Sequence, residues 1–200
     1  MMTGLEQADA GLFLLLNHSF AHPALDDLML FVTNMKLSFH VILLVLIFIL
    51  VRRGKDGLFV ILLLLVAVGI ADYTASGIMK PLFHRVRPCF ALEGVRLLVS
   101  QTHSYSFASS HAANSTAIAG LIRLFFWQGD RVDRVFTLLI IAYASMVSFS
   151  RIYIGVHYPG DVLGGMVIGL ASVTIVYSSA AWIVKNVVHR KAMQRGGDAA

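Results

Sequence analysis

The chain has 200 residues, of which 58% are hydrophobic and 14% charged, and its mean hydropathy is +0.77. A water-soluble globule is excluded, because average usage there is far more charged; at about 20 apolar residues per helical crossing there is room for about five or six membrane spans and little else. The formal net charge of +5 does not point to nucleic acid, since the basic residues sit in short loops between apolar runs rather than in a stripe interleaved with aromatics.

The first ten residues carry acids and no basic n-region, so no cleavable signal peptide is expected. Residues 8–34 are apolar but interrupted by Asn17, His18, His22, Pro23, Asp26 and Asp27, which predicts a pair of interfacial amphipathic helices rather than a clean span. Apolar runs then follow at 37–51, 58–79, 108–127, 135–149 and 162–184, and all are read as helices crossing the bilayer. The first and fourth are short and must borrow flanking residues or sit in a thinned region. Residues 1–36 thus form an N-terminal interfacial or partly inserted segment, 37–185 a transmembrane bundle and 186–200 a basic tail. The fold class expected is all-α, a polytopic helical bundle. The single cysteine, Cys89, excludes an internal disulfide and any multi-cysteine metal cluster, and no zinc or calcium spacing is present.

Charge orients the spans. Arg52, Arg53 and Lys55 follow the first run, Arg131 and Arg134 follow the third, and Lys185, Arg190, Lys191 and Arg195 follow the fifth. Alternation puts all of them on one face, which the positive-inside rule makes cytoplasmic, together with the C-terminus. Residues 80–107 and 150–161 then lie on the extracytoplasmic face. The first of these loops carries Lys80, Arg85, Arg87 and Arg96 against one acid, Glu93. Cations are topologically disfavoured there, and anion binding would explain their retention.

Three polar clusters converge on that face: Lys80 to Pro88, Ala108 to His111, and Ser150 to Asp161. Each taken singly also fits a structural role. The cations can snorkel, a serine can cap a helix, and Asp161 can complement a helix dipole in the first turn. Taken together they form a set suited to phosphoryl transfer, in which three equatorial oxygens must be surrounded by fixed positive charge and N–H donors. Lys80, Arg87 and Arg151 supply charge, and the arginines can grip two oxygens at once. Ser109 and Ser110 open the third span, where first-turn N–H groups face the positive end of the dipole. A turn through Pro159 and Gly160 can return Asp161 to the ring of His157, fixing its tautomer for nucleophilic attack, while His111 handles protons.

The pattern K-x6-RP (Lys80, Arg87, Pro88), a serine–histidine pair (Ser109, Ser110, His111) and SR-x5-H-x3-D (Ser150, Arg151, His157, Asp161) resembles the type 2 phosphatidic acid phosphatase (PAP2) superfamily. The resemblance is to its membrane lipid phosphatase branch, with compact bacterial undecaprenyl-diphosphate phosphatases as similar members, and it covers about residues 58–184. It implies that His157 becomes phosphorylated, Asp161 orients it, and His111 is the general acid and base. Phosphate binding falls to Lys80, Arg87, Arg151, Ser109 and the backbone N–H of Ser110, with no metal or other cofactor. The second motif is usually P-S-G-H and here reads Ala108-Ser109-Ser110-His111. Serine accepts a first-turn helical conformation, so activity is expected to survive. Close small-residue spacings, Gly160, Gly164, Gly165 and Gly169 in the fifth run and Ala112, Ala113, Ala117 and Gly120 in the third, predict tight helix packing inside the membrane. Asp72, inside the second span, is assigned structural support, and His84 and His103 a solvated surface role.

The expected function is an integral phosphatase of a bacterial inner or plasma membrane, acting on a lipid phosphate or isoprenoid diphosphate at the extracytoplasmic leaflet. Undecaprenyl diphosphate is the first choice, with phosphatidylglycerophosphate and lipid A phosphate as alternatives. Partners are the lipid substrate and membrane lipid, not nucleic acid. A lipid-to-lipid phosphotransferase and a non-catalytic lipid-binding scaffold are the competing classes.

Overall fold

The structure, a computed structural model, describes residues 3–197, and among these it contains helices, turns and loops but no strand. Helix α1 spans Gly4–Ser19 and α2 spans Pro23–Thr33. Helix α3, Met35–Asp72, folds back at Gly54, whose φ of 52° and ψ of −127° lie in a region open to glycine. The turn makes α3 two antiparallel legs, with Gly57 set against the carbonyl of Ile49. A π-helical segment, Tyr73–Met79, continues the second leg into α4, Lys80–Phe83. After α5, Pro88–Ala91, come α6, Ser110–Phe126, α7, Arg131–Tyr153, and α8, Pro159–Gly197.

The helical stretches long and apolar enough to cross a membrane are Ser38–Ala91, Arg131–Tyr153 and Pro159–Val187. The first holds both legs of α3. Helix α6, with 17 residues, is about 26 Å long at 1.5 Å per residue. It packs against α3, α7 and α8, so protein covers it rather than lipid. The five expected runs are therefore five helical legs, and α7 gains the length its apolar run lacked by extending to 23 residues. Large apolar side chains face outward on the peripheral legs, with Leu65 67% and Val167 66% exposed. Such a surface needs a lipid solvent.

Small residues bring α6 and α8 together as expected. A Cβ on Gly165 would strike the carbonyl oxygen of Ser109, and one on Gly169 that of Ala113. The far end of the bundle is tied by charge. Arg52 pairs with Asp130 and with Asp133 (2.9 Å), and Arg53 with Asp133 (3.1 Å) and the Phe125 carbonyl (2.8 Å).

Residues 4–33 form two helices, α1 and α2, and α1 does not run the length of the bundle. Its buried stripe, Ala10, Phe13 and Asn17, meets one end only. Phe13 packs edge-on against Tyr158 at 5.6 Å, and the Asn17 amide donates to the carbonyls of Tyr153 (2.8 Å) and Arg96 (3.1 Å) and accepts from Arg96 N–H (2.9 Å). Helix α1 lies across the mouth formed by the α7–α8 junction. Asp72 ties α3 to α6 through the Asn114 amide at 3.0 Å, the structural role expected of it. The side chains of Arg190, Lys191 and Arg195 lie outside the described residues.

Candidate active site

Each polar cluster is placed by a local device. Lys80 opens α4 directly after the π-helical segment, and α4 ends at His84, whose φ of 48° is left-handed. Arg87 takes the extended conformation demanded of a residue before proline, and Pro88 starts α5. Ser109 caps α6, and its own N–H donates to the Asp161 carbonyl at 3.0 Å, stitching the start of α6 to the first turn of α8. Between α7 and α8 the chain turns through Gly155, with a φ of 89° and a Cβ position 2.7 Å from the Arg96 carbonyl; no larger residue fits there. The His157 N–H then donates to the Arg151 carbonyl at 3.1 Å.

These devices bring the three clusters to one end of the bundle. Arg87, Arg151, His157, Asp161 and Ser109 are buried, while Lys80, Ser110 and His111 are partly so. Arg87 donates through Nε to the Ser104 carbonyl (2.9 Å), through Nη2 to Ser104 Oγ (3.0 Å) and through Nη1 to the Val156 carbonyl (3.0 Å). Its Nη1 also lies 3.2 Å from Nε2 of His157. A guanidinium has only donors, so Nε2 presents its lone pair and the ring proton sits on Nδ1. Burial pushes the His157 imidazole down to about 4, against the opposing pull of Asp161; the ring is neutral at pH 7.

On the Nδ1 side stands Asp161, with Oδ2 at 3.6 Å. That is longer than a hydrogen bond, and the hydroxyl of Ser106 explains the gap. Ser106 Oγ lies 3.4 Å from Nδ1 and donates to Oδ2. Oδ2 also accepts from the Tyr158 N–H at 2.9 Å, while Oδ1 accepts from Arg85 Nη1 at 2.8 Å. Arg151 is 7% exposed, donates to the hydroxyl of Thr33, and has no acceptor for its Nε among the described residues. Lys80 lies within Coulombic reach of Arg87 and Arg151, and His111 within reach of Arg151, His157 and Lys80. Among the described residues, none of Lys80, Arg87 and Arg151 is paired with a carboxylate; the paired cations are Arg52, Arg53, Arg85 and Arg96.

The PAP2 superfamily model matches residues 59–185, which contain all three clusters. The chain belongs to the PAP2 superfamily. It is 28% identical over 177 residues to a lipid A 4'-phosphatase of Porphyromonas gingivalis, covering 86% of this chain and 72% of that protein. It is 26% identical over 157 residues to the undecaprenyl-diphosphatase BcrC of Bacillus subtilis, covering 76% of this chain and 75% of that one. Two further bacterial relatives are matched over 51% and 55% of their own length. The crystal structure of Aquifex aeolicus LpxE superposes with a TM-score of 0.68 at 29% identity, over 84% of this chain and 93% of that one. The chain is a membrane phosphatase of the PAP2 lipid phosphatase kind.

Within this PAP2 site, Ser110 is helical and lacks the positive φ that would demand glycine. Ser110→Gly is expected to change kcat/KM by no more than about threefold, since a first-turn glycine leaves the N–H in place and costs only helix propensity. Steady-state phosphate release measures this.

Sequence reasoning explained the cation excess of residues 80–107 by anion binding, and that holds for only part of it. Arg96 pairs with Asp26, and Arg85 pairs with Asp9 at 2.7 Å and Asp161 at 2.8 Å. The balancing acids come from α1, α2 and α8, so a count of charge within the loop alone misses them. His84 and His103 are exposed, as expected, but each also meets an aromatic ring, Tyr105 and Phe90 respectively, at 4.5 Å. Ser106, Thr33, Asp9 and Arg85 were not singled out for the site. Only Arg85 left a sequence signal, as a cation inside the first motif.

Proposed function

We propose that this membrane lipid phosphatase hydrolyses a lipid-borne phosphate or diphosphate through a phosphohistidine at His157, with the site facing the extracytoplasmic side. The observation that carries the reading is a buried neutral imidazole whose Nε2 lone pair faces Arg87, together with Lys80 and Arg151, three cations that form no salt bridge among the described residues. Two of the three are buried, and a buried cation without a counter-charge is costly unless an anion joins it.

The phosphoryl group sits among Lys80, Arg87 and Arg151, with the hydroxyl of Ser109 and the first-turn N–H of Ser110 as further donors. On binding, the Arg87 guanidinium turns its Nη1 from Nε2 to phosphate oxygen, and Nε2 is released to attack phosphorus. The bond from phosphorus to the leaving oxygen breaks, and His111, which becomes protonated when the phosphate anion arrives beside it, delivers the proton that oxygen needs. His111 then takes a proton from water, the hydroxide attacks the phosphohistidine, and inorganic phosphate leaves with Nε2 regenerated. The hydroxyl of Ser106 stands between the Nδ1 side of the ring and Asp161, and the carboxylate offsets the positive charge that the ring acquires.

The sidedness rests on the opposite end of the bundle, where Arg52 and Arg53 lie with the α6–α7 turn, as the positive-inside rule asks of a cytoplasmic face. For the lipid, an isoprenoid diphosphate is supported by the undecaprenyl-diphosphatase matched over 76% of this chain, and a lipid A phosphate by the relative matched over 86% of it.

Purified protein in detergent is tested for phosphate release from undecaprenyl diphosphate, lipid A phosphate and phosphatidylglycerophosphate, with chelator present and no acceptor lipid. Release from at least one, undiminished by chelator, is expected. No release from any would overturn the hydrolase reading, and release only when an acceptor lipid is added would make it a transferase.

A further inference from the structure

The mechanism above uses the Nε2 face of His157 and leaves unexplained a second charged cluster behind its Nδ1 face. Asp161 is fully buried and lies 3.6 Å from Nδ1, too far to hold the ring by a direct hydrogen bond. Its position is set by three donors instead. Tyr158 N–H and Ser106 Oγ take Oδ2, and Arg85 Nη1 takes Oδ1. Of these only Arg85 carries charge, and only Arg85 reaches Asp161 from a long side chain. The guanidinium is in turn fixed from two sides. Its other nitrogen, Nη2, donates to Asp9 Oδ2 at 2.7 Å, and its face lies 3.9 Å over the ring of Tyr158.

Asp9 belongs to α1, which the family motifs do not reach. Its second oxygen, Oδ1, accepts from the Gly160 N–H at 2.8 Å in the first turn of α8, one residue from Asp161. Gly160 has no room for a side chain here, since a Cβ would stand 2.7 Å from the same carboxylate. The Arg85 carbonyl accepts from the Ser106 N–H at 2.7 Å, so the arginine also places the serine that bridges Asp161 to the ring. A cavity of about 680 Å³ between α1 and the Phe83–Val86 segment borders Arg85. Apolar packing therefore leaves one side of the guanidinium uncovered, and the carboxylates hold it.

We propose that Arg85 is a positioning residue for catalysis, a strut between Asp9 of α1 and the catalytic carboxylate Asp161, and that α1 is thereby a working part of the active site. The inference rests on the phosphohistidine reading given above. The strut keeps Asp161 ionised and aimed at Nδ1 while the ring gains positive charge in the transition state. It touches neither phosphate nor leaving group, so its loss slows the chemical step and spares substrate binding.

The test uses the full-length protein in detergent and the lipid phosphate it hydrolyses best. Arg85→Gln is expected to lower kcat by about 100-fold, the scale on which misplacing a catalytic group costs rate, with KM within about twofold. Arg85→Lys is expected to recover about tenfold of that, since an ammonium can still meet one carboxylate. Asp9→Asn, which keeps the Gly160 contact and weakens the pull on Arg85, is expected to lower kcat by about three- to tenfold. In an Asp161→Asn background, Arg85→Gln is expected to cost less than about threefold further, because the group it serves is already gone.

A rise in KM that accounts for the whole loss would make Arg85 a phosphate ligand and overturn the proposal. So would an Arg85→Gln loss of equal size with and without Asp161, or full activity in Arg85→Gln. A wild-type protein that releases no phosphate from any lipid defeats the phosphohistidine reading itself, and the strut with it. An active wild type with an unaffected Arg85→Gln defeats the strut alone.

Discussion

Replacing His157 by alanine is expected to lower phosphate release by about 10⁴-fold or more, the scale on which removing a nucleophile costs an enzyme whose binding groups remain. The proposed nucleophilic atom is Nε2, because Arg87 Nη1 at 3.2 Å can only donate and leaves the lone pair there. In the proposed mechanism His111, on α6, is kept for the leaving oxygen and does not take its place. The residual activity is then that of water attack on a phosphate held by Lys80, Arg87 and Arg151. Rapid acid or alkaline quenching separates the readings further. Wild-type protein given radiolabelled substrate is expected to carry an acid-labile, alkali-stable phosphoryl group, and His157→Ala to carry none. Equal release by the variant would sink the assignment. His157 is buried, so a thermal transition of the variant in detergent is measured alongside to show that it is folded.

Arg87→Ala is expected to lower kcat/KM by about 10³-fold, the lower end of what a charge-stabilising arginine contributes to phosphoryl transfer. Three of its nitrogens are engaged at once, by Ser104 O, Ser104 Oγ and Val156 O, with Nη1 shared with His157 Nε2. The residue thus braces the loop before α6 against the α7–α8 junction, and in the proposed mechanism it also meets the phosphate. Arg87→Lys is expected to recover less than about tenfold, because one ammonium cannot reproduce a planar fork with five donors. Alanine also leaves the Val156 carbonyl of a buried junction without its donor, which costs about 1–3 kcal/mol. A drop in the thermal midpoint should therefore accompany the kinetic loss. A variant with normal kcat/KM would remove Arg87 from the phosphate site.

The sequence by itself determined the parts that depend on one segment at a time. The five apolar runs became the two legs of α3 and helices α6, α7 and α8, because a chain in lipid must satisfy its backbone within each segment. Ser109 became the cap of α6, and Gly165 and Gly169 became the close approach to α6, because capping and small-residue packing are read from local order. The motifs named Lys80, Arg87, Ser109, Ser110, His111, Arg151, His157 and Asp161, and the fold gathers them at one end of the bundle.

What the tertiary structure decided are the pairings between segments. Arg85 and Asp161 lie 76 positions apart, and Asn17 and Tyr153 lie 136 apart; no helical period or hydropathy pattern links residues at such separations. A cation in the 80–107 loop reads the same whether it meets phosphate or a carboxylate. Arg87 and Arg85 are two residues apart, yet one lies beside His157 with no carboxylate paired to it and the other is held behind that ring by two. Only the path of α1 across the mouth, which brings Asp9 to Gly160 and Arg85, separates the two roles. Apolar surface area drives that path, and a count of charges along the chain does not contain it.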